Sequence, residues 1–162
     1  MKQLLAIITL LATLSAWAAP VRDKHVSADL ISENARIAAA QPFWVAVRLI
    51  HDEHWHTYWI NDGDSGLPTE IDWNLPEGFT AGEIQWPPPQ RIPMDPLVSY
   101  GYEGEAWLLV QITPPAQLTA ESVTLEASVK WLMCKEVCIP GRAKLSVTLP
   151  VGPVAAIDSV AG

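Results

Sequence analysis

The chain has 162 residues, 49% of them apolar and 17% charged, with 18 acidic against 10 basic side chains and a net charge of −8. That length suits one domain, and an apolar content near half excludes a mainly disordered chain. The acidic balance excludes a surface built to neutralise phosphate, so nucleic acid is not an expected partner.

The N-terminus reads as a secretory signal peptide. Lys2 precedes an almost wholly apolar stretch from Leu4 to Trp17, and Ala16-Trp17-Ala18-Ala19-Pro20 supplies a small-residue cleavage site, with the cut predicted after Ala18. The stretch falls short of the roughly 20 residues a membrane-spanning helix needs, which disfavours an anchor. Removal of residues 1–18 leaves 144 of the 162 residues and, with Lys2 gone, takes the net charge from −8 to −9. No later segment reads as a membrane span.

Beyond Pro20 the pattern is one of short strands. Val26 to Ile31 is a weak candidate, and Ile31 to Ala40 is the one segment with a helical look. Val45, Val47 and Leu49 alternate with Trp44, Ala46 and Arg48, the period of a half-buried strand. His56 to Ile60 and Glu70 to Leu75 are weaker candidates, divided by the turn-rich Asn61-Asp62-Gly63-Asp64-Ser65-Gly66. Pro76 to Pro96 holds six prolines, which donate nothing to a ladder and so fit sheet edges or a long surface loop. Ala106 to Ile112 is an apolar run. Val123, Leu125, Ala127, Val129 and Trp131 give the cleanest alternation, and Ala143, Leu145, Val147 and Leu149 repeat it. Seven to nine short strands without a useful helical period predict an all-β fold, an immunoglobulin-like β-sandwich over residues 19–150, with a barrel as the alternative. Residues 151–162 lack pattern and read as a linker or tail.

Two cysteines are too few for a disulfide-rich scaffold, so their meaning rests on placement. Cys134 and Cys138 lie four positions apart at the end of the cleanest strand, and a turn between them lets them bridge. Three roles fit the spacing: a structural staple, a reversible redox pair, or metal ligands. A staple closing about five residues is worth only about 2 kcal/mol, against nearly 5 for a loop of about a hundred. Closely spaced thiols near a turn suit exchange chemistry, in which one attacks a partner's disulfide and the second resolves the mixed disulfide. Lys135 favours a thiolate at its neighbours and Glu136 opposes one.

The run Trp131-Leu132-Met133-Cys134-Lys135-Glu136-Val137-Cys138-Ile139-Pro140 resembles, together with Gly63-Asp64-Ser65-Gly66-Leu67-Pro68-Thr69, Ile84-Gln85-Trp86-Pro87 and Tyr100-Gly101-Tyr102-Glu103, the N-terminal periplasmic domain of DsbD-like and ScsB-like thiol:disulfide interchange proteins. The resemblance covers Val26 to Pro150. It implies an immunoglobulin-like domain in the periplasm with protein-disulfide reductase activity and no cofactor. Such a domain takes electrons from a membrane-embedded or thioredoxin-like donor and passes them to oxidised periplasmic thiol-disulfide proteins, in the setting of cytochrome c biogenesis among others. It also implies Cys138 as the exchanging sulfur and Cys134 as its resolving partner. A cap loop over the pair would correspond to Val98, Ser99, Tyr100, Gly101 and Tyr102, with Gly101 and Gly104 as hinges. This chain has three residues between its cysteines, fewer than the best-known members, and offers Tyr100 or Tyr102 where their cap carries Phe. Full-length members continue into a multi-helix membrane domain, so the chain is either a stand-alone module or a portion of a protein tethered to the inner membrane.

Rival readings rest on weaker signals. His51, His54 and His56, with Met133 and the cysteines, invite copper, but the spacing matches no zinc pattern, and polar positions around a turn are the expectation. Trp55, Trp59 and Trp86 near turns could stack on sugars or pack a protein partner, which makes a secreted binding module with a structural disulfide the alternative. Trp44, Trp107 and Trp131 are expected in the core. Asp62, Asp64 and Glu70 lack the spacing of a calcium loop.

Overall fold

The computed structural model describes residues 19–94 and 96–153. The expected signal peptide and residues 154–162 of the expected tail lie outside the described residues. Eleven strands run in chain order among those described: β1 (Val21–Asp23), β2 (Val26–Ser32), β3 (Phe43–His51), β4 (His56–Gly63), β5 (Glu70–Asn74), β6 (Thr80–Ala81), β7 (Gln90–Met94), β8 (Leu97–Glu103), β9 (Glu105–Thr113), β10 (Ser122–Cys134) and β11 (Cys138–Pro150). They form two sheets, one ordered β1-β2-β3-β9-β6 and one ordered β11-β10-β4-β8-β7, with β5 paired to β10. This is the all-β, immunoglobulin-like sandwich that the alternating segments predict.

Strand parity sorts the core. Phe43, Val45, Val47 and Leu49 of β3 face Ile112, Val110, Leu108 and Ala106 of β9 within one sheet, and Leu125, Val129, Trp131 and Met133 of β10 come from the other, all buried. Since side chains alternate between faces, the remaining residues of each strand lie on the outer faces. β10 and β11 pair in unbroken register from Ser122↔Pro150 to Cys134↔Cys138, and this hairpin of two thirteen-residue strands carries the cysteines at its closed end.

Two expectations change. Ile31 to Ala40 is not helical. Ile31 ends in β2, and beyond it the Ser32 hydroxyl accepts the Asn34 N–H while the Glu33 carboxylate accepts the Trp44 N–H. Short polar side chains that take backbone donors in this way compete with a helix. Buried Ile37 then bridges to Val151. The proline-rich segment takes the sheet-edge place expected of it: β7 holds Pro93 on the edge, paired with Val98 of β8. Trp44 is half-buried and Trp107 40% exposed rather than core, because Val45 and Val47 of β3 and Ala106, Leu108 and Val110 of β9 take the inward parity, which leaves Trp107 outside beneath the Arg48 guanidinium.

Gly101 owes its identity to space rather than to hinge freedom. It lies within β8, and a Cβ there would overlap the Thr57 carbonyl oxygen on β4. Gly104, between β8 and β9, has φ of +71° and open space around it. Gly101→Ala is therefore expected to cost about 3 kcal/mol through backbone displacement, and Gly104→Ala only about 1 kcal/mol of left-handed strain. Urea denaturation of the two variants checks this ordering, and equal losses would contradict it.

Candidate functional site

The sequence Cys134-Lys135-Glu136-Val137-Cys138 closes the β10–β11 hairpin with three residues, the Lys135 N–H donating to the Val137 carbonyl at 3.2 Å. Register puts the cysteines directly opposite each other with Cα atoms 4.2 Å apart, and they are joined as a disulfide. Both have the parity opposite to Met133 and Gly141, so the bond sits on the outer face of the sheet and does not tie the two sheets together. The two sulfurs differ in surroundings. Cys134 is in a strand flanked on both sides, facing Cys138 on β11 and His56 on β4, and is 0% exposed. Cys138 begins β11, an edge strand, and is exposed, beside the 62% exposed Val137. An incoming thiolate can reach Cys138 and is shielded from Cys134.

The β1–β2 turn steadies the strand just beyond Cys138. The Lys24 ammonium donates to the Pro140 carbonyl at 2.8 Å, and the Arg142 N–H donates to the Asp23 carboxylate at 2.8 Å. These side chains occupy outward-pointing backbone groups of an edge strand, which would otherwise offer a template for another chain.

On the other flank stands Tyr58, one alternation step along β4 from His56. Its hydroxyl lies 3.8 Å from Cys138 Sγ and 3.3 Å from His56 Nε2. A disulfide sulfur carries no hydrogen, so in that contact the hydroxyl is the only group able to donate. The ring is 0% exposed because the loop after β4 closes over it: a Cβ on Gly66 would overlap the ring edge, and Pro68 bridges to Tyr58. Burial, reinforced by Asp62, pushes the Tyr58 phenol above its ordinary value. Burial also holds His56 below the usual imidazole range, with Glu103 opposing it from β8.

His51 is buried beside them. The Gly104 carbonyl accepts its backbone N–H at 2.7 Å and its ring Nδ1–H at 2.8 Å, which leaves Nε2 to accept the Thr57 hydroxyl at 2.9 Å. Burial lowers this imidazole's pKa against the pull of Gly104, and the neighbouring His56 lowers it further.

The expected cap residues are strand here, all within β8 between β4 and β7. Ser99 is fully buried, its hydroxyl donating to the Ser65 carbonyl at 2.9 Å, and the Val98 N–H donates to the Asp64 carboxylate at 2.9 Å. Tyr102 is buried and donates to the Pro87 carbonyl at 2.8 Å, and desolvation raises its pKa. Tyr100 is 37% exposed and Gly101 abuts Thr57. The Gly63–Ser65 motif thus grips β8, and its continuation at Gly66 covers Tyr58. The three histidines read as a turn cluster divide: His54 sits at the β3–β4 turn with φ of +66° and is exposed, while His51 and His56 are buried. Among the described residues no three His, Cys, Asp or Glu side chains group as metal ligands. Trp55 stacks on His25 at 3.9 Å, and Trp59 and Trp86 pack partly buried against the core. Tyr58 escapes the sequence reading as a site residue, and His56 entered it only as a possible copper ligand. Their shared parity in the His56-Thr57-Tyr58 triplet was visible, but nothing local announced that they meet the cysteines.

Residues 27–150 match the family described as thiol:disulfide interchange protein DsbD, N-terminal. Among solved structures, the N-terminal periplasmic domain of ScsB from Proteus mirabilis superposes with a TM-score of 0.60 at 18% identity, over 88% of this chain and 53% of that one. The chain therefore spans about half the length of that protein. No curated protein sequence matches the chain.

Buried neutral histidines make stability depend on pH. The unfolded chain takes up protons below the ordinary imidazole pKa of about 6.5, while His51 and His56 resist them in the fold, so stability is full above that value and falls as pH drops. Urea unfolding of the oxidised protein is expected to lose on the order of 1 kcal/mol between about pH 7 and about pH 5.5. The His51→Gln, His56→Gln double variant should flatten this slope. An unchanged slope in the variant would contradict the assignment.

Proposed function

Because the chain belongs to the family of thiol:disulfide interchange protein DsbD N-terminal domains, we propose that it is a protein-disulfide reductase module working through the Cys134–Cys138 pair. The observation that carries this reading is the unequal exposure of two bonded sulfurs: Cys138 on an edge strand in reach of solvent, Cys134 enclosed between β11 and β4. Thiol–disulfide exchange needs in-line access to one sulfur and a second thiol poised to displace the product. A bond serving only as a staple needs neither, and a five-residue closure contributes little to stability.

In the reduced state the Cys138 thiolate attacks the disulfide of an oxidised periplasmic protein, forming a mixed disulfide and expelling one partner thiolate. Cys134, adjacent by register, then attacks Cys138 Sγ, re-forms the intramolecular bond and releases the second partner thiol. A membrane-embedded or thioredoxin-like dithiol restores the pair by the reverse steps. The compartment is the periplasm, reached through the signal peptide at residues 1–18. Val98, Ser99, Tyr100, Gly101 and Tyr102 serve as the cap, a role supported by their position on the strand beside β4. Their hydrogen bonds to Asp64, Ser65 and Pro87 give that cap its anchorage.

Reduced Cys134→Ala protein mixed with an oxidised thioredoxin-like protein is expected to accumulate a covalent adduct through Cys138, while Cys138→Ala accumulates none. Non-reducing electrophoresis with peptide mapping reads the outcome. Absence of an adduct with Cys134→Ala, or trapping through Cys134, would overturn the assignment.

A further inference from the structure

The exchange chemistry leaves two buried groups of the site without a role. Tyr58 and His56 share one face of β4, and their polar atoms line up toward the reactive sulfur: His56 Nε2 to the Tyr58 hydroxyl at 3.3 Å, and that hydroxyl to Cys138 Sγ at 3.8 Å. Neither is in reach of bulk water, at 2% and 0% exposure. The ring cannot swing away, since Gly66 lies against its edge. An imidazole stands 5.2 Å from the same ring, edge-on, so the pair is held as a unit.

Around His56 stand Glu103 on β8, Cys134 on β10, Cys138 on β11 beyond Tyr58, and His51 on β3, with Asp62 acting on Tyr58 from the end of β4. The thiol of Cys138, ordinarily protonated near neutral pH at about 8.5, must lose its proton before it attacks. A phenol held above its ordinary value cannot be the final acceptor, whereas the imidazole behind it can, because the Glu103 carboxylate opposite it on β8 favours its charged form against burial.

We propose that Tyr58 and His56 form a proton relay for Cys138, in which the phenol carries the thiol proton to the buried imidazole. The inference rests on the exchange reading above. In the attacking step the Cys138 S–H proton passes to the Tyr58 oxygen as the Tyr58 proton passes to His56 Nε2. The new bond joins Cys138 Sγ to one partner sulfur, the partner's disulfide breaks, and its other sulfur leaves as a thiolate that takes a proton from solvent. His56 holds that proton until the second step. Cys134 then gives its thiol proton to solvent and attacks Cys138 Sγ, the mixed disulfide breaks, and the second partner sulfur leaves with the proton handed back from His56 through Tyr58, so two electrons in total pass from the cysteine pair to the partner. When an incoming dithiol reduces the pair, the relay runs backward and protonates Cys138 as it departs. Tyr58 touches the reacting sulfur; His56 acts through it and is a positioning residue.

Alkylation by iodoacetamide needs no partner, so it tests the relay even where partner trapping with Cys134→Ala fails. The full reduced chain is alkylated between about pH 5 and about pH 10, and modification of Cys138 is followed by peptide mass. Tyr58→Phe, which keeps the ring, and His56→Gln, which keeps a polar side chain, are each expected to slow Cys138 alkylation roughly tenfold near pH 7, with rates converging on wild type at high pH where the thiol ionises unaided. The double variant should be no slower than either single one. A structural defect would instead lower the high-pH plateau. Superimposed profiles for wild type and Tyr58→Phe would overturn the relay. So would a slow Tyr58→Phe beside a normal His56→Gln, which would leave the hydroxyl as a hydrogen-bond donor alone.

Discussion

The cross-strand register of β10 and β11 is the constraint on which the site depends. Thirteen consecutive pairs, from Ser122↔Pro150 to Cys134↔Cys138, leave the cysteines opposite one another at the closed end. A slip of one residue would turn Val123 through Met133 outward and cost the whole core face of the longest strands. Core burial in one part of the hairpin thereby determines sulfur geometry at its end. The same register makes the sulfurs unequal, because β10 continues into contact with β4 and β11 does not.

Around that end the sheet's outer face is built up rather than left bare. The loop after β4 folds back so that Gly66 meets the Tyr58 ring, and its earlier residues hold Val98 and Ser99 of β8. From the opposite side the β1–β2 turn supplies Lys24 and Asp23 to the outward backbone groups of Pro140 and Arg142. The disulfide therefore sits between two clamps, one covering Tyr58 and one holding the strand that carries Cys138. A bond in the core would be beyond the reach of a partner, and one on an uncovered edge would invite indiscriminate pairing.

Much of the fold was legible because period-2 alternation is a direct imprint of half-buried strands: β3, β10 and β11 were readable from valines, leucines and alanines at every second place, and β9 as an apolar run. The short strands β1 and β6 were not, since two or three residues carry no period. β7 and β8 were obscured because Pro93 and the glycine and tyrosines of Tyr100-Gly101-Tyr102 contradict strand propensity, and tertiary pairing overrides it. The cysteine pair and its local bridge followed from spacing. The contribution of Tyr58 did not, because its hydroxyl meets a residue 80 positions away, a distance that no local pattern encodes. Trp107 was misplaced for a different reason: Ala106 to Ile112 is apolar on both parities through Trp107 and Leu109, so no alternation marked which of its residues face outward.

The central claim is that Cys138, and not Cys134, is the sulfur through which electrons enter and leave. The most direct measurement adds reduced glutathione to the oxidised wild-type chain, quenches with acid at short times, and maps the mixed disulfide by peptide mass spectrometry. Exposure of Cys138 against enclosure of Cys134 predicts glutathione on Cys138 with Cys134 released as a free thiol. Adducts on Cys134, or adducts divided equally between the two, would contradict it.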